Sequence, residues 1–197
     1  MTYTPPRLTL PVVDRDHSAG PSDAPLVLVE YGDYQCPYCG AAHPIVKRIQ
    51  KELGSSLRFV FRNFPITNSH PQAEWAAETA EAAAAQGKFW EMHDFLYENQ
   101  RFMGDEAYFA RYETKLKLDA TRIARDVAKG AYSSRIEEDY MSGVRSGVNG
   151  TPTFFINGVR YDGYPGFGQM VAALKAGQKA SSRKKADRRE EQIYESH

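Results

Sequence analysis

Cys36 and Cys39 are the only cysteines in a chain of 197 residues. A bridge between them closes almost no loop and removes little entropy from the unfolded chain, so a structural staple is a poor explanation. A secreted disulfide scaffold spreads more cysteines along its length. Chemistry or metal binding remains. Cys36-Pro37-Tyr38-Cys39 stands between an apolar run, Leu26 to Tyr31, and a helical stretch that begins at about Cys36. The unpaired N–H groups and dipole at a helix N-terminus favour an anion, which lowers a thiol pKa there. The first cysteine of such a motif is expected to be exposed and to attack. The second, one turn deeper, resolves the mixed disulfide. Cys36 is thus the expected attacking thiol and Cys39 the resolving thiol.

Glu30 closes the apolar run six residues before Cys36, beneath the expected position of the motif. A semi-buried carboxylate with a raised pKa can take the proton from Cys39 as it attacks; a strand-end glutamate pointing to water is the competing reading. His43, four residues after Cys39, falls on a similar helix face. Zinc would need a fourth ligand beyond Cys36, Cys39 and His43, and none is evident. A surface or packing role for His43 is therefore preferred, and no metal is expected. No two of the five histidines stand at metal-ligand spacing.

These residues need elements to place them. Leu26 to Tyr31 suits a central strand buried on both faces. The helix from Cys36 should end at Leu53, with Gly54 as its C-cap and a kink at Pro44. Leu57 to Phe61 reads as a second strand, completing a β-α-β unit with a parallel pair. From Ser69 to about Val148 the pattern is helical, with Ser69 and Gln72 as a capping box and Pro71 in the first turn. Gly87 marks a break, Asp105 and Asp119 are N-caps, and a last helix covers Ser134 to about Arg145. Asn157-Gly158 between two β-rich runs predicts a type I′ hairpin. A final helix follows Pro165-Gly166 and runs to about Gly177, and a short edge strand is expected near Leu8 to Val13.

Composition narrows the classes. Hydrophobic residues are 42% and charged residues 25%, ordinary for a globular domain and unlike a disordered or collagen-like chain. The 25 basic and 25 acidic side chains balance, so nucleic acid is not an expected partner. The stretch 175–197 nevertheless carries seven Lys and Arg against four Asp and Glu, and is read as a solvated end. No signal peptide and no run of membrane-helix length is seen, so no stable membrane insertion is expected. Localisation is expected to be cytoplasmic as written, or extracytoplasmic if a leader has been removed.

CPYC after VEYGDYQ, Pro44 five residues beyond the second cysteine, an all-helical insertion and then GVNGTPTFFING together resemble the DsbA-like branch of the thioredoxin superfamily. The resemblance covers about residues 20–178. It implies an α/β thioredoxin-like fold, a central mixed β-sheet flanked by helices, with an inserted all-helical domain. The division would be 1–67 and 146–178 for the thioredoxin-like domain, 68–145 for the insertion and 179–197 for a charged tail. It implies a thiol–disulfide oxidoreductase acting on protein thiols and disulfides, with Cys36 and Cys39 as redox pair and Glu30 at the family's buried acidic position. Thr151-Pro152 matches the family's cis-proline loop, which with Pro37 and Tyr38 would meet the substrate. A redox recycling partner is implied; a cofactor is not, because the electrons reside on the two sulfurs. The best-known oxidising members carry proline-histidine where this chain has Pro37-Tyr38, and tyrosine cannot supply that positive charge. Aromatics of the insertion (Phe89, Trp90, Phe95, Tyr97, Phe102 and Phe109) are expected mainly in the core rather than in a substrate groove. Two other functions compete: a redox-sensing or chaperone-like binding protein with little turnover, and a metal-binding protein using the same cysteines.

Overall fold

A computed structural model describes residues 3–177, so the tail at 179–197 lies outside the described residues. Five strands form one mixed sheet: β1 (His17–Ala19), β2 (Leu26–Gly32), β3 (Leu57–Asn63), β4 (Thr153–Ile156) and β5 (Val159–Tyr161), in the order β1-β3-β2-β4-β5. β2 and β3 are parallel, with Glu30 opposite Phe61, and α1 (Pro37–Leu53) joins them. The other pairings are antiparallel. The fold is α/β and thioredoxin-like.

The nearly continuous apolar character of β2, interrupted only by Glu30, follows from its position at the centre of the sheet. Leu26 and Leu28 face one core, shared with Phe59 and Phe61 of β3 and with α1. Val29 and Tyr31 face a second, shared with Val60, Phe64 and Phe155. By the same alternation Glu30 points to the α1 side. α1 ends at Gly54, whose φ of 48° suits glycine, and it continues as helix through Pro44.

Between β3 and β4 run α2 (Ala73–Ala84), α3 (Phe89–Glu98), α4 (Glu106–Lys115), α5 (Ala120–Ala128) and α6 (Ser133–Arg145). Asp105 and Asp119 cap α4 and α5, accepting from the amides of Tyr108 and Arg122. The capping box at Ser69 and Gln72 does not form. The Ser69 and His70 amides donate instead to the Ile66 carbonyl in a turn, and α2 begins at Ala73 without a side-chain cap. Phe89, Phe95, Tyr97 and Phe109 are buried in the main core, with Trp90 and Phe102 packed against it.

Asn157 and Gly158 both have positive φ, 48° and 79°, as a type I′ turn requires, and residues 167–177 form a further helix, α7. The expected strand near Leu8 to Val13 is absent. A single bridge joins Arg7 to Val159, while the Leu10 and Pro11 carbonyls turn toward the Arg62 guanidinium rather than into a ladder. The edge next to β3 is taken by β1, paired through His17 and Phe61.

Candidate active site

The sharp exit from β2 begins at Gly32, where an added Cβ would collide with Phe61 and Tyr97. Asp33 then organises the turn. Its Oδ1 accepts from the Gln35 amide at 2.8 Å, its Oδ2 accepts from the Ile66 amide at 2.8 Å and lies 2.7 Å from His70 Nδ1. The Asp33 carbonyl accepts from the Cys36 amide. Cys36 is thereby the N-cap of α1, extended at φ −66° and ψ 122°, with Pro37 in the first helical position. Gln100 Nε2 donates to the carbonyls of Tyr34 and Cys36 at 2.7 and 2.9 Å, so the segment beyond α3 also braces the loop.

Cys36 Sγ donates to the Thr151 carbonyl at 3.3 Å, and the Thr151–Pro152 peptide is cis. Cys36 was expected to be the exposed thiol, yet it is only 3% exposed and Cys39 is fully buried. The Thr151 loop covers the first sulfur, and the side chain left in solvent is that of Tyr38, 75% exposed. The two thiols still differ in charge preference. A hydrogen bond from Cys39 brings Cys36 down to about 5, against burial, which pushes it up; the Tyr38 and Cys39 amides at the helix start act in the same direction. Cys39 is pushed well up, first by burial, then by its bond to Cys36 and by the charge of Glu30. The Asp33 amide donates to Cys39 Sγ at 3.5 Å.

Glu30 is 2% exposed, so it does not point to water. Its Oε1 has no hydrogen-bond partner, and burial raises its pKa to about 8, with the Cys36 charge adding to the shift. His43 is buried and stacks on Tyr97, on the α3 side of α1. It is not grouped with the cysteines. Among the described residues the one cluster of three candidate metal ligands is His43, His93 and Asp94. Sequence reasoning missed Asp33, His70 and Gln100. Asp33 carried a signal, a polar residue at a strand-to-helix turn; Gln100, 64 residues from Cys36, carried none.

Residues 13–176 match the family described as Thioredoxin. The oxidised BdbD of Bacillus subtilis superposes with a TM-score of 0.77 at 21% identity, over 89% of this chain and 98% of that one. A thioredoxin-like oxidoreductase from Silicibacter pomeroyi gives 0.71 at 26% identity, over 85% and 94%. Wolbachia pipientis alpha-DsbA1 gives 0.76 at 18%, over 90% and 97%. A Na(+)/H(+) antiporter NhaA 3 of Salinispora tropica is 45% identical over 161 residues, which are 82% of this chain and 24% of that protein. The chain spans about a quarter of the length of such curated relatives. No helix among the described residues is long and apolar enough to cross a membrane. With a Cys-x-x-Cys pair at the start of α1 and a DsbA-like fold around it, the chain belongs to the thioredoxin family.

Proposed function

We propose that the protein is a thiol–disulfide oxidoreductase that exchanges disulfides with protein substrates through Cys36 and Cys39. The observation that carries this reading is the opposed pKa shift of two adjacent thiols, Cys36 down to about 5 and Cys39 well up. Near neutral pH one sulfur is then a thiolate and its neighbour holds a proton, the arrangement that a two-step exchange needs.

In the reducing direction the Cys36 thiolate attacks one sulfur of a substrate disulfide. A Cys36–substrate disulfide forms and the other substrate sulfur leaves as a thiolate. Cys39 then loses its proton to Glu30, which accepts it in the ionised form that a pKa of about 8 leaves to a minority of molecules near neutral pH. The Cys39 sulfur attacks Cys36 Sγ, the second substrate sulfur leaves, and two electrons have passed to the substrate. Oxidation of a substrate dithiol is the same sequence reversed. The exposed Tyr38, Pro37 and the Thr151-Pro152 loop surround the reacting sulfur and are the surfaces a substrate chain would meet. A thiol-exchange partner is needed to reset the pair, and the compartment's redox poise against that of the pair sets the direction.

Insulin reduction and oxidative refolding of reduced ribonuclease test the activity. Cys39→Ser should accumulate mixed disulfides through Cys36, and mass spectrometry of the trapped species names the substrates. Inactivity in both assays would overturn the reading, and partners trapped by Cys36→Ser instead would reverse the two roles.

A further inference from the structure

His43 of α1 and Asp94 of α3 face each other across the junction of the two helices, with Nε2 and Oδ1 3.6 Å apart. Both atoms are buried and neither has a hydrogen-bond partner. A separation of 3.6 Å is too long for a hydrogen bond, and unpaired buried polar atoms are rare because water has been removed without replacement. A third donor stands beside them. One ring nitrogen of His93, one carboxylate oxygen of Asp94 and one ring nitrogen of His43 all lie within 4.8 Å of one another.

We propose that His43, His93 and Asp94 form a zinc site that clamps α1 to α3. An ion centred among three atoms so spaced sits at most about 2.8 Å from each, so a shift of under about 1 Å reaches the ~2.0–2.2 Å of zinc–nitrogen and zinc–oxygen bonds. Two imidazoles and one carboxylate suit zinc, whereas magnesium and calcium take mainly oxygen donors. The three donors leave the fourth position of the tetrahedron to a water. The supporting contacts are already present. Tyr34 Oη lies 3.0 Å from His93 Nδ1 and orients that ring. Lys47 Nζ donates to Asp94 Oδ2 at 2.6 Å, which leaves Oδ1 turned toward His43. The lysine is half-exposed, so its charge can be displaced into solvent as the ion enters.

The test uses tag-free protein stripped with a chelator, its cysteines closed as a disulfide so that neither sulfur offers a thiolate. Equilibrium dialysis against Zn²⁺ should give one bound equivalent. Co²⁺ in its place should give tetrahedral d–d absorption without sulfur-to-metal charge transfer. Asp94→Asn and His43→Ala should each weaken uptake at least tenfold, with Glu91→Gln unchanged and far-UV circular dichroism reporting the fold. If His43→Ala does not fold, the more exposed Asp94→Asn decides. No uptake by the oxidised protein, or uptake that survives Asp94→Asn, overturns the site and leaves His43 and Asp94 an unbridged packing contact. Because the disulfide form is used, the outcome does not depend on whether the thiols turn over.

Discussion

Gln100 donates to the carbonyl of Cys36 at 2.9 Å, so a residue beyond α3 holds the loop that carries the two cysteines. The same amide nitrogen donates to the Tyr34 carbonyl. Gln100→Ala leaves those two acceptors with less than their full complement and should cost about 1–2 kcal/mol in urea denaturation. Gln100→Glu sets a carboxylate against two carbonyl oxygens and should cost more. A Gln100→Ala variant as stable as the wild type would show that the bracing contributes nothing.

The Cys39 thiol is the largest influence lowering Cys36. Alkylation of Cys36 followed against pH should therefore show a midpoint near 5 in the wild type. In Cys39→Ala, which has no donor, the midpoint should move toward the ordinary thiol range. An unchanged midpoint would assign the shift to the helix start instead.

Glu30 holds its proton in the folded state up to about pH 8, whereas an unfolded glutamate releases it near 4.5. A raised carboxyl pKa means that its contribution to stability is fully present below pH 4.5 and is lost as pH climbs through 8. Burial is the main cause, so the effect should persist in the oxidised protein, where the Cys36 charge is gone. Glu30→Gln should overtake the wild type at alkaline pH by on the order of a few kcal/mol, and the gap should close toward pH 4.5. The same variant should also prolong the mixed disulfide, read as slower product release in rapid-quench experiments. Stability curves that stay parallel across this range would refute the buried-acid assignment.

Arg62 is fully buried and donates to both carboxylate oxygens of Asp16, to Tyr31 Oη and to the Leu10 and Pro11 carbonyls. Burial pushes Asp16 up, but the Arg62 and Val13 hydrogen bonds hold it below the ordinary aspartate range. Arg62→Met strands that carboxylate and should cost about 3–5 kcal/mol in denaturant unfolding. In the wild type this pair's contribution should fade as pH drops below the ordinary aspartate range, the direction expected for a depressed carboxyl pKa. Arg62→Met together with Asp16→Asn should recover part of the loss.

Strands, turns and caps were legible where the signal was local. The apolar run of β2, Gly54 at the end of α1, the caps Asp105 and Asp119, and the Asn157-Gly158 hairpin each depend on neighbours within a few residues. The misreadings fall where a distant group competes. Leu8 to Val13 has strand-like composition, but Arg62 claims two of its carbonyls. Gln72 has the chemistry of a capping residue, but its backbone N–H donates to Gln35 Oε1, from a distant loop, at 2.6 Å. β1, only His17–Ala19, has no apolar pattern of its own and exists because β3 offers it an edge.

By itself the amino-acid order determined that both cysteines belong to one motif at a helix start and that Glu30 lies close to it, while the family resemblance pointed to Thr151-Pro152. Periodicity and glycine and aspartate chemistry are properties of short windows, and short windows are what a sequence displays. Tertiary structure alone decided that the Thr151 loop covers Cys36, that Glu30 is dry, that Gln100 reaches the loop from 64 residues away, and that His43 meets His93 and Asp94 rather than the cysteines. Each of these depends on how α1 and α3 pack beside the sheet, and burial by distant residues sets both the pKa values and the partners of the groups it encloses.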